Sequence, residues 1–86
     1  MNLEELRDYL QSETGEEFTE YRIGETITAL EKPVMTENGG KYLVIRISEG
    51  SYQITVESNW WDEKKEEYVC REKECVKRLV GRYLLI

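Results

Sequence analysis

An α+β domain with a single antiparallel sheet is predicted by three features of this 86-residue chain. Apolar residues recur at helical spacing near both ends, and they alternate with polar ones through the middle. Two turn signals, Asn38-Gly39-Gly40 and Glu49-Gly50, divide the alternating stretch into strands. Together they predict the order α-β-β-β-β-α: one domain over residues 1–86, with a sheet of three to four strands, an N-terminal and a C-terminal helix, and the helices covering one face.

The first helix is read from Leu3 to about Glu13. Asn2 is its N-cap, Glu5 completes a capping-box pattern three residues later, and Glu4 and Glu5 suit the positive end of the helix dipole. Leu3, Leu6 and Leu10, with Tyr9 beside them, line one face, and Thr14-Gly15 supplies the left-handed stop. A helix this short is marginal alone, so its apolar face must dock on the sheet.

From Thr26 onward the period is two. The Glu49-Gly50 loop pairs Ile47 with Tyr52, Ile45 with Ile54 and Leu43 with Val56 on one face. On the other it pairs Arg46 with Gln53, Val44 with Thr55 and Tyr42 with Glu57. A one-residue slip would set Ile45 against Gln53, so the pattern specifies this register. Upstream, the Asn38-Gly39 turn joins a strand of about Thr26 to Met35 to the Lys41 strand, with Val34 near Leu43 and Leu30 near Ile47. Pro33 lacks a ladder donor and assigns that strand to the sheet edge.

The third strand is expected to extend to Trp61, turn at Asp62-Glu63-Lys64-Lys65 and return as a fourth strand from Glu66 to Arg71. One long helix over residues 60–83 is the competing reading, opposed by the absence of any apolar residue from Asp62 to Glu67. Either way Cys75, Val76, Leu79, Val80 and Tyr83 mark a closing helix, with Gly81 weakening its end. The runner-up order, α-β-β-β-α, is the topology of double-stranded-RNA-binding domains, but the basic signature of that family is missing at the matching places.

Charge narrows the function classes. Eighteen acids against 12 bases give −6 at pH 7, which opposes sequence-independent binding to nucleic acid. Histidine is absent, removing the commonest general base and metal ligand. Cys70 and Cys75 have no second pair or His to complete a zinc site, and no C-x-x-C redox spacing. Cys75 falls on the apolar stripe of the last helix. Both are expected to be reduced thiols, because the acidic Met1–Leu6 start is no signal peptide and the chain is read as cytoplasmic. No cofactor, metal or catalytic group is assigned, and no membrane partner: the longest apolar runs are three residues.

The remaining features suit recognition. Glu13, Glu16, Glu17 and Glu20 form an acidic cluster, and Asp62, Glu63, Glu66 and Glu67 a second; neither has the spacing of a calcium loop. Trp60-Trp61 is the most unusual dipeptide. Strand parity turns Trp60 inward and sets Trp61 on the face of Tyr42 and Val44, where an exposed aromatic patch has the composition of a binding hot spot. The expected function is therefore a non-enzymatic interaction module. It would be a small acidic inhibitor or regulator docking on another protein, with nucleic-acid mimicry of a basic partner as one form, and self-association as another. The partner-binding residues are Trp61, Tyr42, Val44, Glu13, Glu16, Glu17 and Glu20. In size and charge the chain is similar to small phage-encoded inhibitors such as anti-CRISPR proteins, a resemblance of composition alone. The alternative is nucleic-acid binding through the basic last helix, where Arg71, Arg78 and Arg82 would share a face, with Lys77 beside them.

Overall fold

A computed structural model describes residues 2–58 and 65–84. Its elements run α1 (Leu3–Thr14), β1 (Thr19–Ile23), β2 (Thr26–Thr36), β3 (Gly39–Ser48), β4 (Ser51–Glu57), β5 (Glu66–Cys70) and α2 (Lys73–Leu84). The five strands form one antiparallel sheet in sequence order, each beside the next. The α+β class and both terminal helices stand as expected. The order gains a fifth strand and becomes α-β-β-β-β-β-α.

Local chemistry explains the ends of α1. The Asn2 side chain accepts the Glu5 amide at 2.7 Å, and Gly15, at φ 74°, stops the helix and returns its amide to the Gln11 carbonyl. The β3–β4 turn places Glu49 and Gly50 both at positive φ, the condition for a type I′ loop whose twist matches the strands. The resulting register sets Leu43 against Val56, Ile45 against Ile54 and Ile47 against Tyr52, as the alternation requires. β5 pairs with β4 through Val56–Glu66, Ile54–Tyr68 and Tyr52–Cys70. The stretch proposed to carry β4 onward through Trp60 and Trp61, and the turn at 62–64, lie outside the described residues.

β1 is the strand that the alternation did not announce. Thr19-Glu20-Tyr21-Arg22-Ile23 is largely exposed and lacks a period of two, and a register shift between Tyr21 and Arg22 disrupts it further. It pairs with the first half of β2, which makes β2 an interior strand there and corrects its expected place at the edge. Pro33 is still accommodated by the same rule, because β1 ends at the Thr19–Glu31 pair and leaves Pro33 unpartnered on that side. The β2–β3 register also differs by two residues: Val34 pairs with Lys41 and Leu30 with Ile45. The loop is Glu37-Asn38 rather than Asn38-Gly39. The Thr36 hydroxyl closes it by donating to the Gly39 carbonyl at 2.9 Å and accepting the Asn38 amide at 3.2 Å. An even slide preserves every side chain's face, so the core is unaffected.

The core lies between the helices and one face of the sheet. Leu3, Leu6 and Leu10 from α1 and Val76, Leu79 and Val80 from α2 join Leu30, Leu43, Ile45, Tyr52, Ile54 and Val56, with Phe18 closing the side. Each fully buried aliphatic side chain contributes about 1.5–3 kcal/mol. Among the described residues no helix is long and apolar enough to cross a membrane.

Cys70 and Cys75 are joined as a disulfide, with Cα atoms 5.7 Å apart, which corrects the expectation of two free thiols. The expectation rested on a reducing cytoplasmic compartment, not on the positions of the two cysteines. In the fold Cys70 ends β5 and Cys75 sits in the first turn of α2, so the chain reverses between them and the two side chains meet. Closing a loop this short removes about 2 kcal/mol of chain entropy from the unfolded state. Protein purified without reductant should therefore be lighter than the reduced form by two hydrogens. Its unfolding free energy should fall by about 2 kcal/mol on reduction or in the Cys70→Ser, Cys75→Ala variant, as read by urea melts.

Candidate functional site

Strand parity divides the sheet into a covered and an open face. Opposite the helices, Tyr21 from β1, Ala29 and Glu31 from β2, Tyr42, Val44 and Arg46 from β3 and Glu57 from β4 line a groove of about 760 Å³. Its floor is apolar and buried: Ala29 is 5% and Val44 3% exposed, on the face opposite the two described helices. Tyr21 and Tyr42 are each nearly half exposed and form the groove's aromatic members. The Tyr21 hydroxyl donates to Glu31 at 3.2 Å, which orients the ring and raises its pKa, chiefly through the nearby carboxylate charge.

The structure thus brings Tyr42 and Val44 together, as expected, and corrects the exposure of Val44, which is a floor rather than a contact surface. Trp61 lies outside the described residues. Tyr21 is the groove member that sequence reasoning missed. β1 shows no alternation, and the Tyr21–Ala29 pairing that carries Tyr21 to this face is a tertiary fact.

The four acids assigned to recognition occupy a different place. Glu20 is bound by Arg7, and by Arg22 at 2.7 Å, and these guanidiniums, Arg7 first, hold its carboxyl below the ordinary value. Glu16 pairs with Lys32 at 3.1 Å, and the same ammonium donates to the Glu17 carbonyl at 3.1 Å and lies over the Phe18 ring. Glu13 reaches Lys77 of α2 at 3.2 Å. Instead of one free acidic surface, Glu13, Glu16 and Glu20 fasten α1 and the following loop to β1, β2 and α2. The basic set is divided as well. Lys77 is occupied by Glu13, and Arg71 precedes α2, which starts at Lys73, so the expected three-arginine face reduces to Arg78 and Arg82.

A third polar cluster joins the end of α2 to β5. Tyr83 donates to Glu66 Oε2 at 2.5 Å, Tyr68 donates to the same oxygen at 2.9 Å, and the two phenol oxygens are 3.2 Å apart. These donors, Tyr83 first, keep the Glu66 carboxyl below its ordinary 4.5. Burial, followed by the bond to Glu66, pushes the Tyr83 phenol far above its ordinary 10.0.

No group of three or more His, Cys, Asp or Glu among the described residues is placed to hold a metal ion. No protein-family model, curated protein or solved structure matches the chain.

Two predictions follow from these environments. The Thr55 hydroxyl, on the strand position opposite Val44, is enclosed without a hydrogen-bond partner. Thr55→Val keeps the shape and removes the orphan, so the melting temperature should hold or rise, by up to about 1 kcal/mol in stability. A clear loss of stability would mean that the hydroxyl is satisfied in solution. The second concerns pH. Glu20 and Glu66, lowered in the fold, contribute stability that is complete above 4.5 and is lost as pH falls through their folded values. Tyr83, raised in the fold, contributes stability that is complete below 10.0 and is lost as pH rises above it. A plot of Tm against pH should therefore fall at both ends, and Tyr83→Phe should reduce the alkaline fall. An alkaline limb identical in the variant would contradict it.

Proposed function

We propose that this protein is a non-enzymatic interaction module that docks on a partner protein through the open face of its sheet and acts as an inhibitor or regulator of that partner. One observation carries the reading: two half-exposed tyrosines flank a groove whose apolar floor is already desolvated and preformed. Tyrosine supplies large, rigid contact area with little rotamer entropy to lose, and aromatic anchors seated in such grooves dominate binding energies.

Charge indicates the kind of partner. Glu31 and Glu57 outnumber Arg46 around the groove, and the whole chain carries −6. A partner presenting apolar residues framed by lysine or arginine complements both, and the nucleic-acid-binding surface of another protein has that composition. Mimicry in this sense rests on the groove rim and the net charge rather than on Glu13, Glu16 and Glu20, whose carboxylates are occupied by cations of the same chain. The proposed compartment turns on the Cys70–Cys75 bond: an intact disulfide fits an oxidising environment, and the cytoplasmic placement expected from the N-terminal residues requires that the bond be reduced there.

The test starts from the partner captured from the native host and continues with purified components. Tyr42→Ala should weaken binding about thirtyfold or more, the effect of losing a central anchor worth about 2 kcal/mol or more, with little change in Tm. Glu57→Lys should slow association and flatten its salt dependence. Wild-type affinity in folded Tyr42→Ala and Tyr21→Ala variants would refute the assignment of this face.

A further inference from the structure

A second surface with unusual features lies at the β5 end of the sheet. Among the described residues β5 is an edge strand, with β4 on one side and no strand on the other. The pattern of its free backbone groups follows from the β3–β4 turn. Ser48 and Ser51 close a two-residue hairpin, and in such hairpins the closing pair exchanges hydrogen bonds. Alternation along β4 then turns the backbone of Gln53 and Thr55 toward β3, and that of Tyr52, Ile54 and Val56 toward β5. Their partners Cys70, Tyr68 and Glu66 face β4, so the amides and carbonyls of Glu67 and Val69 point out of the sheet. Val69 itself is 65% exposed.

α2 runs beside this edge and leaves a groove of about 260 Å³ between them. Cys75, Arg78, Leu79 and Arg82 line it from the helix, a spacing of three and four residues that places them on one stripe. The groove is held at both ends. The Cys70–Cys75 disulfide ties the end of β5 to the start of α2, and the Glu66–Tyr68–Tyr83 cluster ties the start of β5 to the end of α2. Among the described residues neither Arg78 nor Arg82 forms an ion pair.

We propose that this groove accepts an extended acidic segment of a protein, which adds to β5 as a sixth strand and places carboxylates at alternate positions against Arg78 and Arg82. The spacings agree. Residues two apart on a strand are about 6.7 Å apart, and residues four apart on a helix are separated by a rise of about 6 Å. A strand paired to Glu67 and Val69 directs its intervening side chains to the helix side of the sheet, where the guanidiniums and the apolar Leu79 lie. Backbone hydrogen bonds give such strand addition its affinity, and alternate side-chain pockets give it selectivity. A second copy of this chain fits less well. Pairing β5 with β5 about a twofold axis would bring two Arg78–Arg82 pairs together, and like charges oppose that contact. The proposal is independent of the tyrosine groove, on the other side of the molecule's sheet.

The experiment is a titration of the full, disulfide-intact chain, isotope-labelled for amide NMR, with a short capped peptide alternating Glu and Val. The same peptide with Lys in place of Glu is the control. Saturable shifts at the Glu67 and Val69 amides with the Glu peptide and none with the Lys peptide are expected. Arg78→Glu combined with Arg82→Glu, both surface changes, should weaken binding about tenfold or more, whereas Tyr42→Ala should leave it unchanged. N-methylation of the peptide amides that face β5 should abolish it without altering the protein. The proposal is overturned by equal binding of both peptides, by unshifted Glu67 and Val69 amides, or by unaltered affinity in the double variant. It is equally overturned if an oligonucleotide saturates Arg78 and Arg82 where the peptide does not, or if the chain proves to be a β5-paired dimer.

Discussion

Leu43, Ile45, Ile54 and Val56 stand on one side of the central hairpin and are closed over by Leu6 and Leu10 from α1 and Val76 and Val80 from α2. All eight are fully buried or nearly so, and they belong to three separate stretches of sequence. Because side chains on a strand alternate between faces, committing this set to the helices commits Tyr42, Val44, Arg46, Thr55 and Glu57 to the other side. Among the described residues two helices cover a five-strand sheet, and both lie on the same face. The open face, with its preformed floor and half-exposed tyrosines, is the direct consequence of that one-sided burial.

Ion pairing then decides what the acidic character of the chain means. The N-terminal third, residues 1–31, carries nine acids and two bases, a composition that suggests a broad negative surface. The fold directs Arg7, Arg22, Lys32 and Lys77 into it, so that Glu20, Glu16 and Glu13 become fasteners between α1, the sheet edge and α2. Exposed pairs of this kind contribute little individually, generally under about 1 kcal/mol. Their effect is chiefly geometric, holding α1 and the loop that follows it against β1, β2 and α2.

The β5–α2 corner carries a different economy of contacts. A covalent bond at one end and a carboxylate shared by two phenols at the other hold strand and helix side by side, leaving between them an edge with outward amides and two guanidiniums that form no ion pair among the described residues. Edge strands are commonly blunted by charge, proline or bulges to prevent indiscriminate pairing. β5 has Glu67 on its open-face side and arginines on its helix side, which rejects many strands while leaving acidic ones admissible. The same molecule therefore presents two faces of opposite local charge, joined through one sheet.

Local chemistry settled much of this architecture in advance. The Asn2 cap, the Gly15 stop and the Glu49-Gly50 turn are short-range requirements, and the alternation from Tyr42 to Glu57 admits one register, so α1 and the β3–β4 hairpin are legible residue by residue. The closing helix is legible from the spacing of Val76, Leu79 and Val80, and the shared face of Tyr42 and Val44 from parity. What the tertiary structure alone decided are facts of meeting between distant residues. β1 has no alternating pattern and exists because β2 offers it a partner, and with it Tyr21 reaches the groove. Thr36 moves the β2–β3 loop by a hydroxyl contact that propensity does not weigh. Cys70 and Cys75 bond because the strand end and the first helical turn that carry them lie 5.7 Å apart at Cα, a proximity that the sequence does not specify. The ionic fate of Glu13, Glu16 and Glu20 likewise depends on Lys77, Lys32 and Arg7, cations whose proximity is created by packing, and charge in a sequence has no direction until the chain is folded.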